Sequence, residues 1–463
     1  MSKTVLTEGD EGVRLIVKEP KHKEQPQVRA SRSPVHVVYG GADRFSIDTP
    51  KKLGRIALDS LKQFAPNFAE FARAFHLEGS GNLPTDSKAI KVLETDLKTS
   101  PEKLKKKNQT AWFAWTIYQK TVEKLKRKPV EDFRIDFEDG YGFRGENEEN
   151  EHAESAAGEL AAAFKKNRIT AFSGFRIKPL GKETYGRAIK TLEIFLNTFL
   201  DQTSNKLPDN FVVTLPKVTD KKQVKELCRS LASIEKSRSL VKNSIGVELM
   251  IETPGAIFDE KGRVAVGDLV KAAKGRCSSV HFGAYDYTSA LGISASHQDI
   301  RHPACDLARS VMQIALAGTD VRLADSVTTQ MPLPVHKKGT LSEAEKAENK
   351  LAVHAGWLKH FQNVSASMAN GFYQSWDLHP NQLVARYAAV YAFFLSEIKA
   401  NAQRLRNYSE KATKATLTGN TFDDAASVAG LMNFFERGIA CGAFSEAEVN
   451  AATGKSFDKF ARR

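Results

Sequence analysis

The chain has 463 residues, of which 41% are hydrophobic and 27% charged, an ordinary composition for a globular protein with a large core. Its net charge of +13, from 68 basic and 55 acidic residues, favours anionic partners in a general way. No stretch approaches the roughly 18 apolar residues of a membrane span, and the first residues do not resemble a signal peptide, so we expect a cytoplasmic protein.

The predicted elements begin after a polar tail, residues 1–33, in which charges alternate and large apolar side chains are few. Eight short runs rich in β-branched or aromatic residues follow, and each ends in Gly, Pro, Asp or Thr. They lie near residues 36, 135, 175, 212, 248, 281, 322 and 374. Helix-like stretches rich in Ala, Leu, Lys and Glu separate most of them, which is the pattern of a parallel sheet covered by helices.

Eight βα units favour a closed (β/α)8 TIM barrel over an open doubly wound sheet. Neither GxGxxG after the first strand nor GxxxxGK[ST] is present, which argues against the usual dinucleotide and P-loop sites. We predict a barrel over residues 34–400, with a helical insertion after the first strand at about 78–130. Residues 401–463 have a helical pattern and form a predicted C-terminal helical segment.

The insertion contains two basic runs, Glu102 to Lys107 and Glu123 to Lys128, on either side of an aromatic stretch. Basic residues beside aromatic ones are also typical of nucleic-acid-binding surfaces. We favour a helical hairpin with solvated charged ends, in which the aromatic side chains from Trp112 to Tyr118 pack inward. A nucleic acid partner is therefore not our prediction.

Charged side chains stand at the ends of the predicted strands, and the carboxyl ends of barrel strands converge on one opening, the mouth. The set is Asp136, Glu138, Asp139, Arg176, Lys178, Lys217, Glu252, Asp286, Asp325, Asp377 and His379. Several carboxylates facing one cavity repel each other unless a cation binds between them, and Mg²⁺ takes one or two carboxylates with several waters. Arg176 offers the planar pair of donors that suits a substrate carboxylate. Together they predict a site for a 2-oxo acid or an enolate.

A histidine or cysteine metal site is not predicted, because the 11 histidines show no HxxxH or HxH spacing and the four cysteines show no CxxC spacing. Structural roles compete with these functional ones. Asp286 and Glu252 could cap helices, and Arg176 could pair with Asp136 or Glu138. For Lys217, Asp325, Asp377 and His379 a structural role is at least as expected as a functional one.

Six motifs in order carry a family resemblance: RIDFEDGYG, FRIKP, TLPKV, ELMIETPGAI, HFGAYDYTSALG and WDLHPNQL. With them the chain resembles the citrate lyase beta-subunit-like branch of the HpcH/HpaI aldolase superfamily, which includes malyl-CoA and citramalyl-CoA lyases. The motifs cover residues 34 to 395 and sit on strand ends. The resemblance implies a TIM-barrel lyase that binds Mg²⁺, with Mn²⁺ as an alternative ion.

The resemblance also implies roles for individual residues. Glu252 of IETPGA and Asp286 of FGAYD match the two metal ligands, and the neighbouring Gly283, Ala284 and Tyr285 match substrate-binding positions. Arg176 of FRIKP matches the arginine that binds the substrate carboxylate and polarises the reacting carbonyl. Glu138 and Asp139 match acids that hold metal-bound waters and relay protons. No Schiff-base lysine is implied, since Lys217 of LPKV does not match a nucleophile.

The sequence departs from the family pattern at the acidic motif and at the C-terminus. Tyr141 replaces a small residue in FEDGYG, so we expect it to reshape the mouth. In the CoA-thioester lyases an acidic residue of a neighbouring subunit closes the site. Asp423 and Asp424 are the candidates for that role here.

The leading hypothesis is a metal-dependent carbon–carbon lyase or aldolase that cleaves or forms a bond in a small 3-hydroxy carboxylate, or in its CoA thioester, through a metal-stabilised enolate. One alternative is a malate synthase-like condensation of an acyl-CoA with glyoxylate. Another is a non-catalytic metabolite-binding barrel, against which the joint presence of Arg176, Glu252 and Asp286 argues. Barrels of this family usually assemble into trimers or hexamers, so by analogy we expect a homo-oligomer.

Overall fold

Eight parallel strands form a closed barrel in chain order, with β8 paired to β1. The computed structural model describes residues 33–337, 339–410, 416–418, 421–423, 425–454 and 456–457. The predicted (β/α)8 barrel is confirmed, with extra helices. Residues 1–32 of the predicted tail and Asp424 lie outside the described residues, and Asp423 is described by its backbone alone.

The barrel strands coincide with the eight predicted runs. Their bounds are β1 His36–Gly41, β2 Asp132–Asp136, β3 Phe172–Arg176, β4 Phe211–Leu215, β5 Gly246–Ile251, β6 Cys277–Phe282, β7 Arg322–Asp325 and β8 Gln374–Asp377. A short antiparallel pair, β9 Thr416–Thr418 and β10 Thr421–Asp423, follows near the C-terminus.

Helices surround the barrel and extend beyond it. Those before β6 are α1 Thr49–Phe64, α2 Phe68–Ala74, α3 Ser87–Thr99, α4 Pro101–Lys107, α5 Gln109–Arg127, α6 Glu146–Lys165, α7 Tyr185–Thr203, α8 Lys221–Ser237, α9 Pro254–Ile257 and α10 Val266–Ala272. Those after it are α11 Ala284–Ala290, α12 Pro303–Leu316, α13 Glu343–Ala369, α14 Gln382–Glu410, α15 Ala425–Cys441 and α16 Glu446–Thr453. In the part of the chain that the structure describes, no helix has the length and apolar character needed to span a membrane.

Between β1 and β2 the chain forms α1 to α5, so the predicted insertion is the second part of a longer helical segment. The aromatic residues Trp112 to Tyr118 all lie on α5, where the large side chains are half-buried. Asn108 separates α4 from α5, and its side chain caps α5 by accepting a hydrogen bond from Ala111 N. The predicted domain boundary at residue 400 falls inside α14, which continues without a break to Glu410.

Strand residues alternate between the inside of the barrel and the surrounding helices. Outward residues such as Ile135 and Phe175 belong to the main apolar core beneath the helices. Inside the barrel, charged groups occupy positions that branched apolar residues usually fill. We call four of them, Asp132, Arg134, Glu248 and His281, the interior network; all are at most 1% exposed.

The interior network is held by short polar contacts around Glu248. Arg134 Nη2 donates to Glu248 Oε2 at 2.8 Å, and Arg134 also pairs with Asp132. His281 Nε2 lies 2.8 Å from Glu248 Oε2. The Tyr39 hydroxyl lies 3.1 Å from both Glu248 Oε1 and His281 Nδ1, which links this network to the mouth above it.

Candidate active site

Arg176 and Asp136 form the base of the site. They are the last residues of β3 and β2, and the register of these strands places them side by side. Arg176 Nε donates to Asp136 Oδ1 at 2.6 Å, and Nη2 donates to Oδ2 at 2.5 Å. The third nitrogen, Nη1, lies 3.0 Å from Glu138 Oε2. Asp136 thus orients Arg176. Nη1 is the donor directed toward Glu138 in the loop after β2, which we call the acidic loop.

The loop after β2 wraps around the Asp136 carboxylate. Glu138 N donates to Asp136 Oδ1 at 3.0 Å, and Gly140 N donates to Oδ2 at 2.7 Å. A Cβ at Gly140 would lie 2.6 Å from Asp136 Oδ2, so only glycine fits at this turn. Asp136 therefore shapes the loop that carries Glu138 and Asp139.

Tyr141 does not reshape the mouth as we expected. Its side chain is buried and packs on Phe137, and its hydroxyl lies 2.8 Å from His152 Nδ1 on α6. Since the hydroxyl is bonded to α6, the ring anchors the acidic loop to the helix layer. The residue that projects from this loop is Phe143, which is 88% exposed.

Lys217 ties the acidic loop to Glu252. Its Nζ pairs with Glu138 and lies 3.1 Å from Asp139 Oδ1, while its backbone N–H donates to Glu252 Oε1 at 2.6 Å. Its φ of +49° is in the left-handed region, which costs a non-glycine residue about 1 kcal/mol or more and is often found at functional sites. Against the effect of burial, the hydrogen bond to Glu138 raises the pKa of Lys217, which favours the cationic form of the side chain.

Glu138 and Asp139 differ in their affinity for a proton. Burial raises the pKa of Glu138 above its usual value despite the charge of Arg176. For Asp139, a hydrogen bond with Glu138 and the charges of Arg176 and Lys217 outweigh burial and lower the pKa. Two neighbouring carboxyl groups with pKa values pushed apart are typical of acid–base sites.

Glu252 and Asp286 lie on the β5 and β6 sides of the mouth. With Asp136, Glu138 and Asp139 they form a group of five acids that we call the cluster. Glu252 directly follows β5 and is 2% exposed, whereas Asp286 is exposed in the first turn of α11. Gly283 makes room for Glu252, because a Cβ there would lie 2.5 Å from the Glu252 Cβ. Burial, and next the charge of Asp286, raise the pKa of Glu252 to about 8; burial also raises the pKa of Asp286.

These two carboxylates fit the donor set that a magnesium ion needs. Arg176 and Lys217 pair with the other acids of the cluster, and within the described residues neither Glu252 nor Asp286 has a cationic side chain as a partner. The described part of the chain contains no group of three or more His, Cys, Asp or Glu side chains arranged to hold a metal. Mg²⁺ does not require such a cage, since it is usually held by one or two carboxylates and keeps several waters.

The predicted substrate-binding positions lie at the same edge. Ala284 N donates to Ser326 Oγ at 2.9 Å, so this amide already has a partner. Tyr285 is half-buried, and its hydroxyl lies 3.1 Å from Thr329 Oγ1. The substrate-binding role of Gly283, Ala284 and Tyr285 stays a prediction.

Other predicted mouth residues have their hydrogen-bond or ion-pair partners outside the cluster. They are Lys178, Asp325, Asp377 and His379. Asp377, for example, contacts His36, His360 and Arg386. It faces away from the barrel interior because its neighbour Trp376 faces inward and consecutive strand residues face opposite sides. The sequence pattern did not single out Tyr39 and Met250, which contact Arg176, or Trp376, which stacks on Tyr39. The alternation within the predicted strands was the available signal.

The model of the family described as "Domain of unknown function (DUF6986)" matches residues 17–463. The chain belongs to the DUF6986 family. A search of curated proteins finds no match. The DUF6986 barrel is similar to a citrate lyase of Burkholderia xenovorans LB400, with a TM-score of 0.51 and 20% identity over 73% of this chain and 92% of that one.

A second solved structure is a malate synthase of Haloferax volcanii at 3 mM glyoxylate, with a TM-score of 0.43 and 13% identity over 72% of this chain and 88% of that one. At 20% identity the citrate lyase shows a common fold and no more. The DUF6986 chain therefore has a citrate lyase-like TIM barrel, and its membership of the HpcH/HpaI aldolase superfamily stays a prediction.

Proposed function

We propose that this protein is a Mg²⁺-dependent carbon–carbon lyase acting on a small 3-hydroxy carboxylate, as the free acid or as its CoA thioester. The observation that carries the proposal is the pair Glu252 and Asp286, two carboxylates without cationic partners among the described residues, beside the oriented guanidinium of Arg176. An anion-rich site next to a fixed arginine suits a cation and a substrate carboxylate together.

Glu252 and Asp286 would hold the metal ion. When bound, Mg²⁺ supplies a Lewis acid for the oxygens of the substrate. Arg176 binds the carboxylate that neighbours the reacting carbon, with Nη1 exchanging its contact with Glu138 for one with the substrate. Asp136 keeps Nε and Nη2 occupied, so the arginine presents this donor in one orientation.

The proton transfers fall to Glu138 and Asp139. In the cleavage direction, one of them takes the proton of the substrate hydroxyl as the carbon–carbon bond breaks. The hydroxyl carbon becomes the carbonyl of a 2-oxo acid, and the electron pair of the broken bond becomes the enolate of the other fragment, which then takes up a proton. The separated pKa values of Glu138 and Asp139 support a shared proton between them. The likeness to a citrate lyase supports the proposal at the level of fold.

The first test is calorimetric titration of oxaloacetate, pyruvate and glyoxylate in Mg²⁺ and then in EDTA. We expect at least one acid to bind in Mg²⁺, and both EDTA and Asp286→Asn to abolish that binding. Asp268→Asn is the matched control, because Asp268 is an exposed acid on α10. Binding that EDTA leaves unchanged would refute the proposal, and so would failure of these three acids and of larger 2-oxo acids to bind.

A turnover assay then tests the reaction itself. Malyl-CoA, citramalyl-CoA and the corresponding free acids would be incubated with the protein in Mg²⁺, and the released 2-oxo acid would be trapped as its phenylhydrazone. We expect the wild-type protein to release a 2-oxo acid from one of these thioesters or from its free acid, and the Asp286→Asn variant to release none. Release from the free acid alone would exclude a need for CoA.

A further inference from the structure

One side of the barrel mouth is built from apolar and aromatic side chains. Four buried residues, Val37, Met250, Val327 and Trp376, form a cluster separate from the main core, and Tyr39 and Tyr285 pack against it. We call Tyr39, Met250, Val327, Trp376 and Tyr285 the apolar wall. They come from β1, β5, β8 and the segments after β6 and β7, whereas Asp136, Arg176 and Lys217 come from the β2 to β4 side of the ring.

The apolar wall touches the proposed substrate anchor directly. The Arg176 guanidinium lies 4.8 Å above the Tyr39 ring, and Arg176 Nη1 lies 3.6 Å from Met250 Sδ. Tyr39 in turn stacks on Trp376, with ring centroids 4.5 Å apart and an angle of 30° between the planes. A substrate whose carboxylate is bound by Arg176 therefore lies near Tyr39 and Met250 of the apolar wall as well as near Glu138.

The apolar wall contains no charged side chain, and both of its hydroxyl groups already have hydrogen-bond partners. The Tyr39 hydroxyl contacts Glu248 and His281 below, and the Tyr285 hydroxyl contacts Thr329. The buried Trp376 Nε1 has no hydrogen-bond partner among the described residues. A second charged group of a substrate would therefore meet no ion-pair partner on the wall and would lose hydration there.

From this geometry we infer the substrate class, an inference that rests on the proposed function. The 2-oxo acid bound beside Arg176 carries an apolar or aromatic substituent that packs on the apolar wall, in place of the second carboxylate of oxaloacetate. Apolar burial strengthens binding by about four-fold per methylene group, so a branched or aromatic substituent gains ten-fold or more over a methyl group. Ligand pockets commonly combine a few oriented polar groups with such an apolar lining.

The test compares the dissociation constants of four acids by calorimetry in Mg²⁺: pyruvate, oxaloacetate, 2-oxo-4-methylpentanoate and phenylpyruvate. We expect at least one of the last two to bind about ten-fold tighter than pyruvate, and oxaloacetate to bind no tighter than pyruvate. Tightest binding of oxaloacetate, or equal binding of all four, would overturn the inference and leave the proposed function standing. Binding of none would overturn both.

Variants localise the effect to the wall. Tyr285→Ala is the first choice because Tyr285 is half-buried at the rim, and it should weaken phenylpyruvate binding about ten-fold, a larger loss than that of pyruvate binding. Trp376→Phe keeps an aromatic ring and should retain most of the preference. Tyr185→Ala is the matched control, since Tyr185 is an exposed tyrosine on α7. An unchanged preference in Tyr285→Ala, or equal losses for both acids, would overturn the assignment.

Discussion

The interior network and the mouth contain the same kinds of charged residue but differ in their balance. In the interior, the carboxylates of Asp132 and Glu248 share Arg134, and Thr214, Ser279 and Gln374 donate further hydrogen bonds. In the mouth, five described carboxylates face two cations, Arg176 and Lys217; the five are Asp136, Glu138, Asp139, Glu252 and Asp286. The interior set satisfies itself and supports the fold, whereas the mouth has carboxylates in excess, as a site prepared for a cation does.

The strongest test of this difference is Arg134→Met. Removing the arginine leaves two buried carboxylates without their cation, so we expect the free energy of unfolding to fall by about 3–5 kcal/mol in urea titrations. Lys217→Met, which removes a half-buried cation from the mouth, should change it by less than about 1 kcal/mol. Equal losses in the two variants would contradict the distinction between the regions.

A smaller loss is expected for Glu248→Gln, which should lower the free energy of unfolding by about 2–3 kcal/mol near pH 7. Against the effect of burial, Arg134 and His281 hold the pKa of Glu248 well below its unfolded value of 4.5. Because the folded-state pKa is depressed, the carboxylate stabilises the fold above about pH 4.5, and this contribution is lost as the pH falls. The stability difference between wild type and Glu248→Gln should therefore narrow below pH 4.5; a difference that stays constant with pH would contradict this assignment.

Tyr39→Phe probes the contact between the two regions. The change removes a hydroxyl that lies between Glu248 and His281 but keeps the ring beneath Arg176, so we expect a loss of about 1–2 kcal/mol in stability. Pyruvate affinity in Mg²⁺ should change less than three-fold. A loss of pyruvate binding greater than ten-fold would show that the hydroxyl serves the mouth.

The smallest effect, and the one with opposite sign, is expected for Asp286→Asn in EDTA. Removing this charge relieves its repulsion of Glu252, so the transition temperature should rise. The gain in the free energy of unfolding should stay below about 1 kcal/mol, because Asp286 is exposed. Asp139→Asn is the control, since it loses a contact with Lys217 and should not stabilise the protein. A lower transition temperature for Asp286→Asn would mean that its carboxylate supports the fold.

Much of the fold was predictable because its signals are local. Each barrel strand lies where a run of β-branched or aromatic residues ends in a turn residue, and the closed barrel follows from eight such runs separated by helices. The strand-end positions of Arg176, Glu252 and Asp286 were also predictable, since the carboxyl ends of parallel barrel strands all lie at one end of the barrel. Their catalytic and metal-binding roles stay predictions.

The direction of each side chain was decided by tertiary structure. Asp377 and Asp325 stand at strand ends as Arg176 does, yet they pair with Arg386 and Arg309 outside the mouth, because a shift of one residue along a strand reverses the face. Tyr141 was expected in the mouth and instead binds His152, a partner on α6 that the strand pattern does not reveal.

The sequence by itself determined the order of the strands, the positions of the glycines that relieve crowding, and the concentration of acidic residues at the strand ends. Only barrel closure brought Tyr39 of β1 beneath Arg176 of β3 and against Trp376 of β8. It also separated an interior in which two carboxylates share Arg134 and several hydrogen-bond donors from a mouth in which five described carboxylates face two cations. The physical reason is that hydrophobic periodicity is encoded within a few residues, whereas charge pairing depends on which distant strands become neighbours in the ring.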